Sequence, residues 1–104
     1  MDAVLIHAQS PLGFAVRITH TQWNRIVAFK HPNLAGRESE IRMTIEDPGS
    51  IRRSRKAPDV YLCYRQAGER RWWCAVVRAT NRDGFLVTAY LTDAIKEGEP
   101  LWQK

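Results

Sequence analysis

The side chains of this sequence with the most chemical potential are two histidines, a set of strand-borne arginines and a group of hydroxyls. His20 and His31 are eleven positions apart. At about 100° per residue, a helix would place both on one face, with Trp23 and Val27 between them. A rise of about 1.5 Å per residue puts them roughly 16 Å apart, too far to act on one atom together. Each could still serve a site separately, because imidazole is the side chain most often used as general acid or base near neutral pH. The plainer alternative makes His20 part of a capping turn and His31 a C-terminal cap favoured by the helix dipole. His7 falls in residues 1–12, which read as a flexible tail.

Arg53, Arg65 and Arg78 lie in segments with strand character, where a rigid frame can aim a guanidinium. Reaction at a phosphodiester builds charge on its non-bridging oxygens, and the planar arginine fork matches that geometry. Arg52, Arg55 and Lys56, with Ser54 among them, form a basic run suited to tracking an RNA backbone. Trp72 is a candidate surface for stacking a base. Thr88, Tyr90 and Thr92 alternate, so one strand would carry three hydroxyls on one side. Tyr90 beside Arg78 is the most suggestive pair, since a tyrosine can donate a proton or stack. The alternatives are a solvated strand face for the arginines and ordinary β-propensity for the threonines.

Other chemistries find no support. There is no nucleophile-elbow, phosphate-loop, zinc-protease or dinucleotide fingerprint. The carboxylates are scattered, which argues against a two-metal nuclease. Cys63 and Cys74 form no CxxC or Cys/His cluster. Neither a structural zinc nor any other cofactor is therefore expected. Sixteen basic and eleven acidic residues give a net charge of +5, a balance suited to a polyanionic partner, of which nucleic acid is the commonest. No apolar run approaches the ~20 residues of a membrane span, and the N-terminus lacks the pattern of a signal peptide. The cytoplasm is the expected compartment.

These residues need a frame. With 104 residues, 44% of them apolar, the chain fits one domain with its own core. Residues 13–18 alternate as a short strand. Thr19 and Gln22 form a capping-box pattern opening a helix over about 20–30, which His31-Pro32 ends. A second helix runs from Glu38 to Ile45 and stops at Asp47-Pro48-Gly49. Strands follow at 51–54, 60–66, 72–80 and 85–92, rich in β-branched and aromatic residues. Residues beyond Thr92 read as a tail.

Turns at Gly68-Glu69 and at Asn81-Arg82-Asp83-Gly84 set the expected registers. Tyr64 would face Trp73, Leu62 Ala75, and Val77 Ala89, forming an apolar inner face. Arg65, Arg78, Thr88 and Tyr90 would share the open face. Cys63 would lie opposite Cys74, as two reduced thiols or as a cross-strand disulfide. The expectation is an α+β domain, two N-terminal helices packed on a four- to five-stranded antiparallel β-meander.

Several pieces, in order, resemble a known family. They are His20-x-x-Trp23-x-x-Ile26-Val27, Lys30-His31-Pro32, Asp47-Pro48, Arg53-Ser54, Tyr61-x-x-Tyr64-Arg65 and Gly84-Phe85-x-Val87-Thr88-Ala89-Tyr90-x-Thr92. Over about residues 18–102 the chain resembles the phage-associated nuclease-like members of the barnase/EndoU/colicin/RelE superfamily. The resemblance implies a RelE- or barnase-like fold and metal-independent RNA cleavage, with the ribose 2′-hydroxyl as nucleophile and a cyclic phosphate as product. It implies His31, then His20, as general base or acid. Arg53, Arg65 or Arg78 would hold the phosphate, and Thr88 and Tyr90 would orient it or donate a proton. RNA is the implied substrate, and a toxin of a toxin–antitoxin or phage-related system, with an antitoxin protein as partner, the implied setting. A non-catalytic nucleic-acid-binding module and a protein-interaction domain are the alternatives.

Overall fold

A computed structural model describes residues 2–95 and 98–104. Met1, Lys96 and Glu97 lie outside the described residues, the last two within the stretch read as a tail. The strands are β1 (Val4–Gln9), β2 (Ala15–Thr19), β3 (Ser50–Arg53), β4 (Val60–Gly68), β5 (Arg71–Thr80), β6 (Asp83–Thr92) and β7 (Glu99–Gln103). Two helices, α1 (His20–Phe29) and α2 (Glu38–Glu46), lie between β2 and β3, joined through a single 3-10 turn at Pro32–Leu34. No helix among the described residues is long and apolar enough to cross a membrane.

All the strands belong to one mixed sheet in the order β1-β2-β6-β5-β4-β3-β7. This corrects the expected antiparallel meander of four or five strands behind two N-terminal helices. The supposed tail at residues 1–12 contains β1, which pairs antiparallel with β2. Its alternation places Ile6 and Ala8 in the core and leaves His7 and Gln9 exposed. β2 then joins β6 in parallel, Val16 beside Gly84. β7 pairs with the outer side of β3, and Pro100 is tolerated there because β7 is an edge strand. The four-strand run from β3 to β6 is the part of the expected meander that exists.

The helices form much as their sequence signals require. The Thr19 side chain accepts from the Gln22 backbone N–H, and the Gln22 side chain reaches back to the Thr19 N–H, a complete capping box. Trp23 and Ile26 of α1, with Ile41 and Ile45 of α2, are buried against Ile6, Val16, Ile18, Ile51, Cys63, Trp73, Val77 and Leu86 of the sheet. A smaller cluster on the opposite sheet face contains Leu62, Tyr64 and Cys74. There Ile95 packs against it from the chain that passes from β6 to β7.

The β4–β5 register differs by one residue from expectation. Cys63 lies opposite Ala75, Tyr64 opposite Cys74 and Arg65 opposite Trp73. The turn sits at Glu69-Arg70, with Arg70 at φ 55°, and the pairing shifts between Gln66 and Gly68. The net slip exchanges the two faces of β4. Cys63 and Arg65 move to the helix side, while Leu62 and Tyr64 move to the other. In the β5–β6 hairpin the turn is Asn81-Arg82, with Asn81 at φ 58°, and a bulge lies between Val76 and Val77. Thr88 then faces Val76 and Tyr90 faces Cys74. That is two residues from the expected pairing, so the hydroxyl-bearing face of β6 keeps its side.

The cysteines are free, buried and directed to opposite faces, which removes the disulfide alternative. Burial pushes the Cys63 thiol well above the usual thiol range, and Cys74 adds to the effect. Only a thiolate attacks a thiol reagent at a useful rate. Neither cysteine of the native protein should therefore react with an aromatic disulfide reagent within minutes, while both should react in denaturant. Rapid labelling of Cys63 under native conditions would contradict the assigned core.

Candidate functional site

β2 leaves β6 after Phe85, and α1 takes its place beside the vacated edge. Gln22 Nε2 donates to the Leu86 carbonyl at 2.9 Å, tying the start of the helix to that edge. From Gln22 to Phe29 the helix rises about 10 Å and the chain continues past its end to His31, while from Leu86 to Tyr90 a strand rises about 13 Å. The two paths carry His31 to the level of Tyr90. Their ring centroids lie 5.8 Å apart with planes inclined by 43°. His31 is half-buried and held by its backbone: its N–H donates to Ile26 O at 2.9 Å, and its carbonyl accepts from Leu34 N at 3.0 Å. Pro32 fixes the following turn.

Thr88 lies two residues before Tyr90 on the same side of β6. Its Oγ1 is buried without a hydrogen-bond partner. An unsatisfied buried hydroxyl costs about 1–3 kcal/mol, and this one is closed off from solvent. Arg78 follows Val76, the partner of Thr88, by two residues on β5 and lies on the same face. It is exposed, and its Nε donates to Asp59 Oδ2 at 3.2 Å. His31 and Tyr90 are in contact, while Arg78 shares their sheet face but lies opposite Phe85 rather than Thr88, four positions along β5 from the partner of Tyr90, which corrects the expected pairing.

The other expected site residues are elsewhere. His20 opens α1, exposed, at the opposite end of the helix from His31. Arg65 is a clamp between β4 and α2, on the helix side of the sheet: Nη2 donates to Glu40 Oε2 at 2.7 Å and to Glu40 O at 3.2 Å. Its placement with the open-face residues is thus corrected by the register. Arg53 also lies toward the helix side, its guanidinium carbon 5.8 Å from the centre of the Tyr61 ring and its Nε buried without a partner.

The basic run at 52–56 is partly engaged. Arg52 Nη1 and Arg55 Nη2 both donate to Gly98 O, at 3.0 and 3.4 Å, and Arg55 pairs with Glu99 at 3.5 Å. Ser54 Oγ accepts from the Lys56 N–H at 3.2 Å, while the Lys56 side chain is exposed. Trp72 is half-buried and lines a small cavity with Tyr64, Gln66 and Ile95. It is a packed ring rather than an open platform.

The sequence reading missed a second polar region. A groove of about 550 Å³ is lined by Asn33, Arg37, Glu40, Ala67, Arg71, Trp73 and Leu91. The Arg37 guanidinium carbon lies 5.9 Å from the centre of the Trp73 ring. These residues come from the Pro32–Leu34 turn, α2 and its N-cap, β4, β5 and β6, so no spacing in the sequence could announce them. Among the described residues no three His, Cys, Asp or Glu side chains converge to hold a metal ion. Comparison with known families, curated proteins and solved structures returns no match for this chain.

Proposed function

We propose that this chain is a metal-independent endoribonuclease that attacks the scissile phosphate with the ribose 2′-hydroxyl. The observation that carries the proposal is the His31–Tyr90 ring contact at the edge of β6. His31 takes the 2′-hydroxyl proton as general base. Arg78 meets the charge that grows on the phosphate. Tyr90 positions the imidazole and protonates the departing 5′-oxygen. The reaction forms the O2′–P bond, breaks the P–O5′ bond and leaves a 2′,3′-cyclic phosphate. The reading rests on these side chains and on the resemblance of the motifs that contain them, not on a shared fold. A toxin paired with an acidic antitoxin protein is the setting that fits the net charge of +5.

Purified protein incubated with total RNA, tRNA and ribosome-bound mRNA in the presence of a chelator should yield fragments ending in a 2′,3′-cyclic phosphate. Intact RNA in every arm, with and without added divalent metal, would overturn the assignment. Salt-dependent binding without cleavage would instead mark a nucleic-acid-binding module on this scaffold.

A further inference from the structure

We infer that the groove between the Pro32–Leu34 turn, α2 and the β4–β5 hairpin binds the segment of single-stranded RNA adjoining the His31 site. This rests on the ribonuclease reading and extends it from the reacting phosphate to the neighbouring nucleotides. Arg37 and Arg71 are both exposed and both line the groove. Glu40, its acidic member, is already neutralised by Arg65 at 2.7 Å. The groove is therefore cationic, with two guanidinium forks suited to phosphate oxygens.

One part of its wall is flat. Arg37 lies against Trp73, a ring only 6% exposed, and Leu91 forms another part of the wall. A guanidinium backed by an indole is a stacking surface for a nucleobase. Asn33 supplies an amide able to donate to and accept from a base edge.

Shape distinguishes a strand from a free nucleotide. A second depression of about 300 Å³ shares Arg71 and Leu91 with the first and continues to Thr92 and Asp93. Arg71 thus stands where two successive cavities meet, as a phosphate contact between two nucleotides would. Both cavities neighbour the proposed reaction site in sequence, across the β6 edge: Trp73 and Leu91 lie on the helix side of the sheet and Tyr90 on the other. Asn33 follows His31 by two residues, and Leu91 follows Tyr90 on β6.

The test is a fluorescence-anisotropy titration of a labelled 12-nucleotide single-stranded RNA, with His31→Ala as the parent chain so that the RNA survives. Arg71→Ala and Arg37→Ala should each weaken binding about 5- to 10-fold, and Arg71→Ala should lower the salt-dependence slope by about one. Arg71→Lys should keep that slope, and Arg82→Ala, at the β5–β6 turn, should bind like the parent. Circular dichroism of each variant checks the fold, and Asn33→Ala provides a second probe of the groove that leaves its charge unchanged.

RNA affinities within twofold of the parent in Arg71→Ala, Arg37→Ala and Asn33→Ala would overturn the groove, even where the unmodified chain cleaves RNA. Weakened RNA binding in Arg71→Ala would sustain it even where the unmodified chain cleaves nothing and the ribonuclease reading fails. A poly-glutamate arm covers the competing occupant: Arg71-dependent binding of that peptide without Arg71-dependent binding of RNA would assign the groove to an acidic protein segment and overturn the inference.

Discussion

His31→Ala should lower the rate of RNA cleavage about 10²- to 10⁴-fold, the span contributed by a positioned general base. RNA affinity should stay within about threefold, because the binding arginines are untouched. The size of the effect follows from how His31 is held. Its backbone N–H and carbonyl are both used, by Ile26 and Leu34, and Pro32 restricts the chain that follows. Tyr90 limits the ring on one side. A base with so little freedom needs little ordering when substrate arrives, and its replacement removes both the proton acceptor and that positioning.

The fold should survive. An aromatic contact of this kind contributes about 0.5–1.5 kcal/mol, so a melting temperature lower by roughly 2–10 °C is expected. His20→Ala is the informative companion. His20 is exposed at the far end of α1, and that variant should cleave within about twofold of the parent. Cleavage that survives His31→Ala and disappears in His20→Ala would move the reaction to the N-terminal end of the helix. Retained cleavage in both would remove histidine from the mechanism.

The division between what the sequence disclosed and what it hid follows the range of the interactions. Signals confined to a few residues were legible. The Thr19–Gln22 capping box sets the start of α1, and His31-Pro32 closes its far end. Glu38–Glu46 stops at Asp47-Pro48 as the spacing requires. The alternation in β5 and β6 was also legible, because aromatic and β-branched residues mark both faces along ten residues each. That is why Arg78, Thr88 and Tyr90 were assigned to the correct side of the sheet.

What stayed hidden depends on distant partners or on unusual turn residues. Arg70 and Asn81 adopt positive φ where glycine would be the expected signal, and Gly68 and Gly84 drew attention to neighbouring positions instead. A single residue of slip was enough to send Arg65 to α2 and Tyr64 to the other face. β1 resembled a tail because its hairpin partner is short, and β7 because it contains Pro100. The parallel β2–β6 pair has no local signature at all. The site shared that fate: the helix end that brings His31 to Tyr90 is placed by Gln22 reaching Leu86, 64 residues away.

Gly98→Ala should be the most damaging conservative substitution in the β3–β7 region, destabilising it by about 3 kcal/mol or more. Gly98 is buried at φ +88°, a region where any side chain is strained. An added Cβ would stand 2.7 Å from Arg53 O, 2.9 Å from Arg52 Cβ and 3.2 Å from Leu62 Cδ1. The nearest of these is backbone, which cannot move aside without breaking the β3 pairings. The Gly98 carbonyl is also the acceptor for Arg52 and Arg55, so its displacement removes one contact from each guanidinium.

The consequence should be local before it is global. In the sheet β7 pairs with β3 alone, and Ile95 is part of the cover over the smaller cluster of Leu62, Tyr64 and Cys74. The fully buried residues of the larger core beneath α1 and α2 come from other elements, and β7 adds to it only the partly buried Trp102. The two cysteines report on the two faces separately. In Gly98→Ala, Cys74 should become reactive toward a thiol reagent while Cys63 stays protected, as read by mass spectrometry of labelled peptides. Equal labelling of both would mean that the sheet unfolds as one unit. Protection of both, with an unchanged melting temperature, would mean that β3 and β7 can absorb a methyl group where the geometry leaves no room for one.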